Sequence, residues 1–267
     1  MSETLRPTTS SNEIRSMVRE KYGALAVAGE SCCGPQGGCG AAAPETVLEQ
    51  IGYTDAQAAA IPEGANLGLG CGNPLAFAAV QPGETVLDLG SGAGIDAFLA
   101  AREVGPTGHV IGVDMTHAML EKARGAAARH GYANVEFRLG EIEHLPVADA
   151  SVDVIISNCV VNLSPDKAQV FREAWRVLRP GGRFLVSDLV LLRPLAPEIR
   201  RSVEAYVGCV AGASTRQDYL AHIQAAGFVD VEVVQENPYT VGAETASPEY
   251  RDGLRSVASA KVRARKP

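Results

Sequence analysis

A chain of 267 residues with 46% hydrophobic content and a net charge of −7 can bury one sizeable core with a smaller appended region. The acidic balance argues against nucleic acid as a partner, because polyanion binders carry a basic face. With no run of about 18–20 apolar residues and a polar stretch from Met1 to Glu20, neither a membrane span nor a secretory leader is expected. The reading is a cytoplasmic monomer. There the six cysteines, Cys32, Cys33, Cys39, Cys71, Cys159 and Cys209, stay mostly reduced, so burial, metal binding or redox chemistry must account for them.

In chain order, residues 1–29 read as a helix, since Ile14, Met17, Val18 and Tyr22 recur at helical spacing and Ser11 or Asn12 can cap its start. The segment Ser31–Gly40 holds four glycines and a proline and is expected to be a mobile loop. A short helix near Asp55–Ala60 precedes a second glycine-rich break, Asn66–Pro74. From Gly83 onward strands alternate with helices. The strands are expected at Thr85–Leu89, His109–Asp114, Val135–Leu139, Val152–Asn158, Arg183–Asp188, Val229–Val234 and Val257–Val262. That alternation predicts an α/β, doubly wound, mainly parallel seven-stranded sheet. For the helix after Asn162 the expected signals are Ser164 as cap, Pro165 at the first position and Arg179-Pro180-Gly181-Gly182 as terminator. The chain divides into a helical, cysteine-bearing region (1–75), a nucleoside-binding domain (76–190) and a C-terminal substrate region with the last strands (191–267).

Thr85 to Asp96 runs from an apolar strand through Gly90, Ser91, Gly92 and Gly94 into a helix. Glycines suit a tight turn where a ligand approaches the backbone. Twenty residues on (114 − 94), Asp114 ends the second strand, where a carboxylate accepts hydrogen bonds from ribose hydroxyls, with Met115 beside it. The spacing is G-x-G-x-G rather than the dinucleotide G-x-G-x-x-G. Asp88 at the strand end would crowd a pyrophosphate but suits an ammonium group, which favours S-adenosylmethionine over NAD. Gly140-Glu141-Ile142-Glu143 follows the third strand and can bring Glu141 or the backbone to the adenine, with Ile142 against the ring. Asn158 closes the fourth strand at the same edge. The bland alternatives are a solvated acidic turn for Glu141 and Glu143 and a turn-former for Asn158.

A single cysteine is more often inert packing than a working group, but three of these occupy loops that point the same way. Cys159 follows the fourth strand directly, Cys209 lies beyond the fifth, and Cys71 sits in the glycine-rich break. Three thiols converging suit a soft ion rather than magnesium or calcium. A structural zinc site is the rival, and it lacks C-x-x-C or H-x-x-x-H spacing or histidines flanking the cysteines. Cys32, Cys33 and Cys39 read as a metal cluster or a redox thiol pair. His117 and His130 read as solvated surface residues.

The chain resembles the bacterial arsenite S-adenosylmethionine methyltransferases from about Cys32 to Val234. The similarity rests on Ala65–Pro74, the Asp88–Gly94 loop, Ile111–Thr116, Gly140–Glu143 and above all Ile156–Lys167. It implies a class I methyltransferase, Rossmann-like fold with S-adenosylmethionine as methyl donor. It implies further that Cys159 and Cys209 hold trivalent arsenic, delivered as a thiol conjugate, with Cys71 as a third thiol. One of Cys32 and Cys33 would exchange a disulfide with Cys71, and an external thiol such as thioredoxin or glutathione would reopen it. Cys39 stays outside the catalytic set, and nothing carries over beyond Tyr239. Two other readings stand beside this one: a methyltransferase of a small organic acceptor, because Arg176–Gly182 is widely shared among such folds, and a non-catalytic thiolate module that binds arsenite without needing the Asp88–Gly94 loop.

Overall fold

The computed structural model describes residues 5, 9–28, 44–240, 251 and 253–267. Four helices come first: α1 (Ser11–Ala28), α2 (Pro44–Gln50), α3 (Asp55–Ala60) and α4 (Leu75–Ala78). Ser10, rather than Ser11 or Asn12, caps α1: its hydroxyl accepts from the Glu13 amide at 3.3 Å and its own amide donates to the Glu13 carboxylate at 2.6 Å, a reciprocal box. There follow β1 (Thr85–Leu89), α5 (Ile95–Val104), β2 (His109–Asp114), α6 (His117–His130), β3 (Val135–Leu139) and β4 (Val152–Asn158). A 3-10 turn (Val161–Leu163), α7 (Lys167–Val177), β5 (Leu178–Leu191), α8 (Pro197–Arg201), α9 (Val203–Val207), α10 (Arg216–Ala225), β6 (Val229–Pro238) and β7 (Val257–Arg265) complete the order.

The seven strands form one sheet in the order β3-β2-β1-β4-β5-β7-β6. β3 to β5 run parallel, and β7 enters antiparallel between β5 and β6. The chain builds outward from β1 to β3, then crosses back to lay β4 on the other side of β1, which opens a crevice at the carboxyl ends of that pair. Alternate strand residues face opposite layers. Val86, Val110, Val154 and Ile156 meet Phe98 and Leu120 of α5 and α6 on one side. Leu87, Leu89, Ile111 and Ile155 meet Phe171, Phe184 and Tyr219 on the other, where Phe171 stands edge-on to both other rings at 5.8 and 5.5 Å. Each such buried side chain contributes about 1.5–3 kcal/mol.

The helix after Asn162 starts later than expected. α7 begins at Lys167, not Pro165, because Asp166 accepts from the Gln169 amide at 2.9 Å and takes the cap, while the Ser164 hydroxyl turns to Glu143 at 2.7 Å. α7 ends at Val177, directly before Arg179-Pro180-Gly181-Gly182 as expected, and that segment continues as an irregular start of β5, absorbed by a register shift between Val152 and Val154. Among the described residues no helix is long and apolar enough to cross a membrane.

Candidate active site

The turn after β1 is held by its own backbone and by Asp114. Ser91 N–H donates to Val113 O at 3.0 Å, and Gly94 N–H to Ser91 O at 2.8 Å. Asp114 receives Gly92 N–H on one oxygen at 2.9 Å and Thr116 N–H on the other at 2.7 Å. Gly90 and Gly92 have φ of 65° and 52°, the left-handed region where glycine carries no Cβ penalty. A Cβ on Gly90 would stand 2.2 Å from Val160 Cγ2, whereas one on Gly92 meets nothing within 4 Å. Gly90, Ser91, Gly92, Asp88, Asp114, Met115, Ile142 and Asn158 all line one cavity over the β1–β4 crevice. Gly94 stands behind, its Cβ position filled by Phe98.

Asp88 is 2% exposed and its Oδ2 accepts no hydrogen bond among the described residues. Burial, then Asp96, then Asp114 push its carboxyl well above the usual range. Asp96, at the first turn of α5, is pushed up to about 6 by burial, against the hydrogen bonds it accepts from the Tyr53 hydroxyl at 2.7 Å and Asn158 Nδ2 at 3.1 Å. Two buried carboxylates with an orphaned oxygen facing a cavity call for a cation. The aminoacyl ammonium of S-adenosylmethionine fits that need, Asp114 fits ribose hydroxyls, and the open face of Gly92 fits a ligand lying against backbone.

Asn158 knits this acidic pair to the glycine-rich break. Its Nδ2 also donates to Gly72 O at 2.7 Å and Tyr53 Oη at 3.0 Å, and its Oδ1 receives Cys71 N–H at 3.0 Å. Glu141 is turned away: it pairs with Arg15 at 3.3 Å and Arg19 at 3.1 Å of α1. Its neighbour Glu143 lines the cavity, bonded to Arg15 and Ser164. α1 itself adds Arg15, Val18 and Tyr22 to the lining, and the Tyr22 hydroxyl donates to Val207 O at 3.0 Å.

Cys159 and Cys209 line the same cavity. The Cys209 thiol donates to Cys159 O at 2.8 Å, and the Cys71 thiol to Ser187 O at 3.5 Å. The sulfurs of Cys71 and Cys159 and a carboxylate oxygen of Asp188 lie within 4.8 Å of one another. Both cavity-facing cysteines adopt left-handed backbone, with φ of 58° and 63°. Such a conformation costs a side-chain-bearing residue about 1–3 kcal/mol and persists only where its surroundings enforce it. Burial, then hydrogen bonding with Cys209, pushes the Cys159 thiol well above its ordinary range. For Cys209 the bond with Cys159 pulls downward, yet burial and Asp188 leave it raised. The pocket therefore presents neutral, clustered thiols. Cys32, Cys33 and Cys39 lie outside the described residues.

The sequence reading missed Tyr53, Asp96, Asp188, Tyr22 and Arg15. Asp96 looks like an ordinary acidic residue in a first helical turn, and Asp188 like the end of a strand. Only the crossing of β4 beside β1 shows what they face.

The methyltransferase domain family matches residues 80–227. The chain is 50% identical to an arsenite methyltransferase of Halobacterium salinarum over 273 aligned residues, 99% of this chain and 70% of that protein. It is 45% identical to an arsenite methyltransferase of Aquipseudomonas alcaligenes over 64% of this chain and 51% of the other, so it spans about half of that relative's length. Among solved structures, an arsenic (III) S-adenosylmethionine methyltransferase from Chlamydomonas reinhardtii superposes with a TM-score of 0.68 at 37% identity, covering 80% of this chain and 74% of that one.

Proposed function

The chain belongs to the arsenite methyltransferase family, and from that membership we propose that it transfers methyl groups from S-adenosylmethionine to trivalent arsenic held on its own thiols. The observation that carries the reading is one cavity shared by Asp88, Gly92 and Asp114 on one side and Cys159 and Cys209 on the other. Bound there, S-adenosylmethionine supplies an electrophilic methyl group. Asp88 with Asp96 holds the ammonium end, Asp114 the ribose, and Ile142 and Met115 the adenine side.

Cys159 and Cys209 take the arsenic, and Cys71 joins as the third thiol. Each S–As bond displaces a hydroxide from arsenite, which leaves as water with the proton of the thiol, so buried neutral thiols serve without prior ionisation. Trivalent arsenic bound to sulfur stays pyramidal and keeps its lone pair. The protein then acts chiefly by alignment, which contributes about 7–11 kcal/mol in favourable systems. Transfer leaves arsenic formally oxidised by two electrons. Cys71 with one member of the Cys32-Cys33 pair returns them by closing a disulfide, and an external thiol such as thioredoxin or glutathione reopens it. A monomer working in the cytoplasm, where thiols are kept reduced, completes the proposal.

The test is to supply arsenite, S-adenosylmethionine and a thiol, and to separate arsenic species by chromatography. Methylated arsenic is expected from the parent chain and from neither Cys159→Ser nor Cys209→Ser; Cys32→Ser with Cys33→Ser should slow turnover or stop it after one round. Tight donor binding with no methylated arsenic would leave a small organic acceptor as the substrate.

A further inference from the structure

The two cavity-lining cysteines open loops of one design. Cys159-Val160-Val161-Asn162 and Cys209-Val210-Ala211-Gly212 each begin with a left-handed cysteine and continue with two apolar residues. The third residue after each cysteine (162 − 159 and 212 − 209) meets its counterpart in the other loop. At that point Gly212 lies against main chain: a Cβ on it would stand 2.2 Å from Asn162 O and 3.3 Å from Asn162 C, with Tyr206 Cε2 at 3.2 Å. Gly212 is not in the left-handed region, so its missing side chain serves space alone. The obstacle is a carbonyl that no rotamer change can move.

One loop is a fixed wall. Cys159 N–H donates to Ser187 O at 2.7 Å and Asn162 N–H to Asp188 Oδ2 at 3.2 Å, while Asn162 Nδ2 donates to Asp188 Oδ1 at 2.8 Å and Leu189 O at 2.6 Å. β5 thus holds this loop at both ends. The other loop is a compact turn, because the amides of Val210 and Ala211 both donate to Ala205 O at 2.9 Å and that of Ala213 to Val210 O at 3.2 Å. The turn docks on the wall through Cys209 Sγ, which donates to Cys159 O at 2.8 Å, through Tyr206 Oη, which donates to Leu163 O at 3.2 Å, and through the approach of Gly212 to Asn162 O. The spacing of the two cysteines is therefore set by how closely two backbones pack, before any ion arrives.

We propose that Gly212 is the positioning residue that sets the gap between the Cys159 and Cys209 sulfurs, and through it the size of the trivalent, thiol-seeking ion the pair accepts. The proposal rests on the arsenic reading for the identity of that ion. A side chain at position 212 drives the turn back from the wall by about 1 Å before the contact becomes an ordinary one. Cys209 moves with it, and the gap widens. Two sulfurs bonding one small atom tolerate little of this, since a misplacement of about 1 Å can cost on the order of 100-fold where geometry is demanding. Antimony(III) shares the soft, thiol-preferring chemistry of arsenic(III) but is larger, makes longer bonds to sulfur and spans a wider gap.

The test measures binding of arsenite and antimonite by calorimetry to the full chain with Cys32, Cys33 and Cys39 replaced by serine, which leaves Cys71, Cys159 and Cys209 as its thiols. Gly212→Ala should lower arsenite affinity about 10-fold or more and antimonite affinity by less than about threefold, with S-adenosylhomocysteine bound within about twofold of the parent. Tyr206→Phe, which removes another docking contact without a clash, should shift the ratio of the two affinities the same way, and it decides alone if the alanine variant does not fold. A merely structural role weakens both ions together, and the adenosyl ligand with them. A smaller loss for arsenite, an equal loss for antimonite, or an unchanged ratio in Tyr206→Phe would overturn the proposal. A parent chain that binds neither ion would sink the arsenic reading itself, and this proposal with it.

Discussion

Gly90 and Gly92 stand two residues apart in one turn and are glycine for different reasons. At Gly90 the space is taken by Val160; at Gly92 it is open toward the cavity. Gly90→Ala should therefore lower the melting temperature by several degrees and be partly rescued by Val160→Ala. Gly92→Ala should cost only the left-handed penalty, about 1–2 kcal/mol, yet weaken S-adenosylmethionine binding at least 10-fold by calorimetry. Equal losses of stability in the two variants would show that the turn is uniformly packed. The glycine spacing was readable in the sequence; this division between them was not, because it depends on Val160, which β4 brings across from seventy positions away (160 − 90). The same holds for the left-handed backbone at Cys159 and Cys209, which nothing in a residue name announces.

At the scale of elements, α1 joins the turn after β3 to the end of α9, bonded to the former through Arg15 and Arg19 and to the latter through Tyr22. The two arginines are unequal. Arg15 meets Glu143, whose side chain is 4% exposed, so Arg15→Met strands a buried carboxylate at a cost of about 1–3 kcal/mol. Arg19 is half in solvent, and Arg19→Ala should cost under about 1 kcal/mol. Urea titration of both variants measures the difference, and similar costs would mean that the Glu143 contact is not the stronger tie. β1 to β4 coincide residue for residue with the expected strands, because buried parallel strands read as short apolar runs bounded by turn residues. β5, β6 and β7 run longer than expected, to Leu191, Pro238 and Arg265. Their extensions are set by antiparallel pairing, which draws residues such as Glu236 and Arg263 into a ladder that their side chains alone do not predict.

Over the whole molecule, charge is arranged against the resting state of the site. Asp96 and Asp188 are both pushed up to about 6, chiefly by burial, and burial with Asp96 and Asp114 beside it pushes Asp88 well above the usual carboxylate range. A carboxyl raised in the folded chain binds its proton more tightly there than when unfolded. Its contribution is complete below the unfolded value of about 3.9 and is lost as pH climbs through 6. Glu173 has the opposite sign, since its bond to Arg176 holds it below the usual range and its contribution fades on acidification. Asp88→Asn should therefore raise the melting temperature of the donor-free chain by about 2–4 °C at pH 7.5 if it recovers about 1 kcal/mol, with less gain at pH 4.5, and weaken donor binding at both. A lower melting temperature at pH 7.5 would show that Asp88 is satisfied without a ligand. The position of β7 bears on how the molecule is made. It is translated after β6 yet must slot between β6 and β5. A nascent chain that has emerged only through β6 leaves the flank of β5 open to pairing with a neighbour, and Cys71 still lacks the clasp of Ser259. The carbonyl of Cys71 thus gains its Ser259 partner only once the chain has run past β6 and β7 has slotted beside β5.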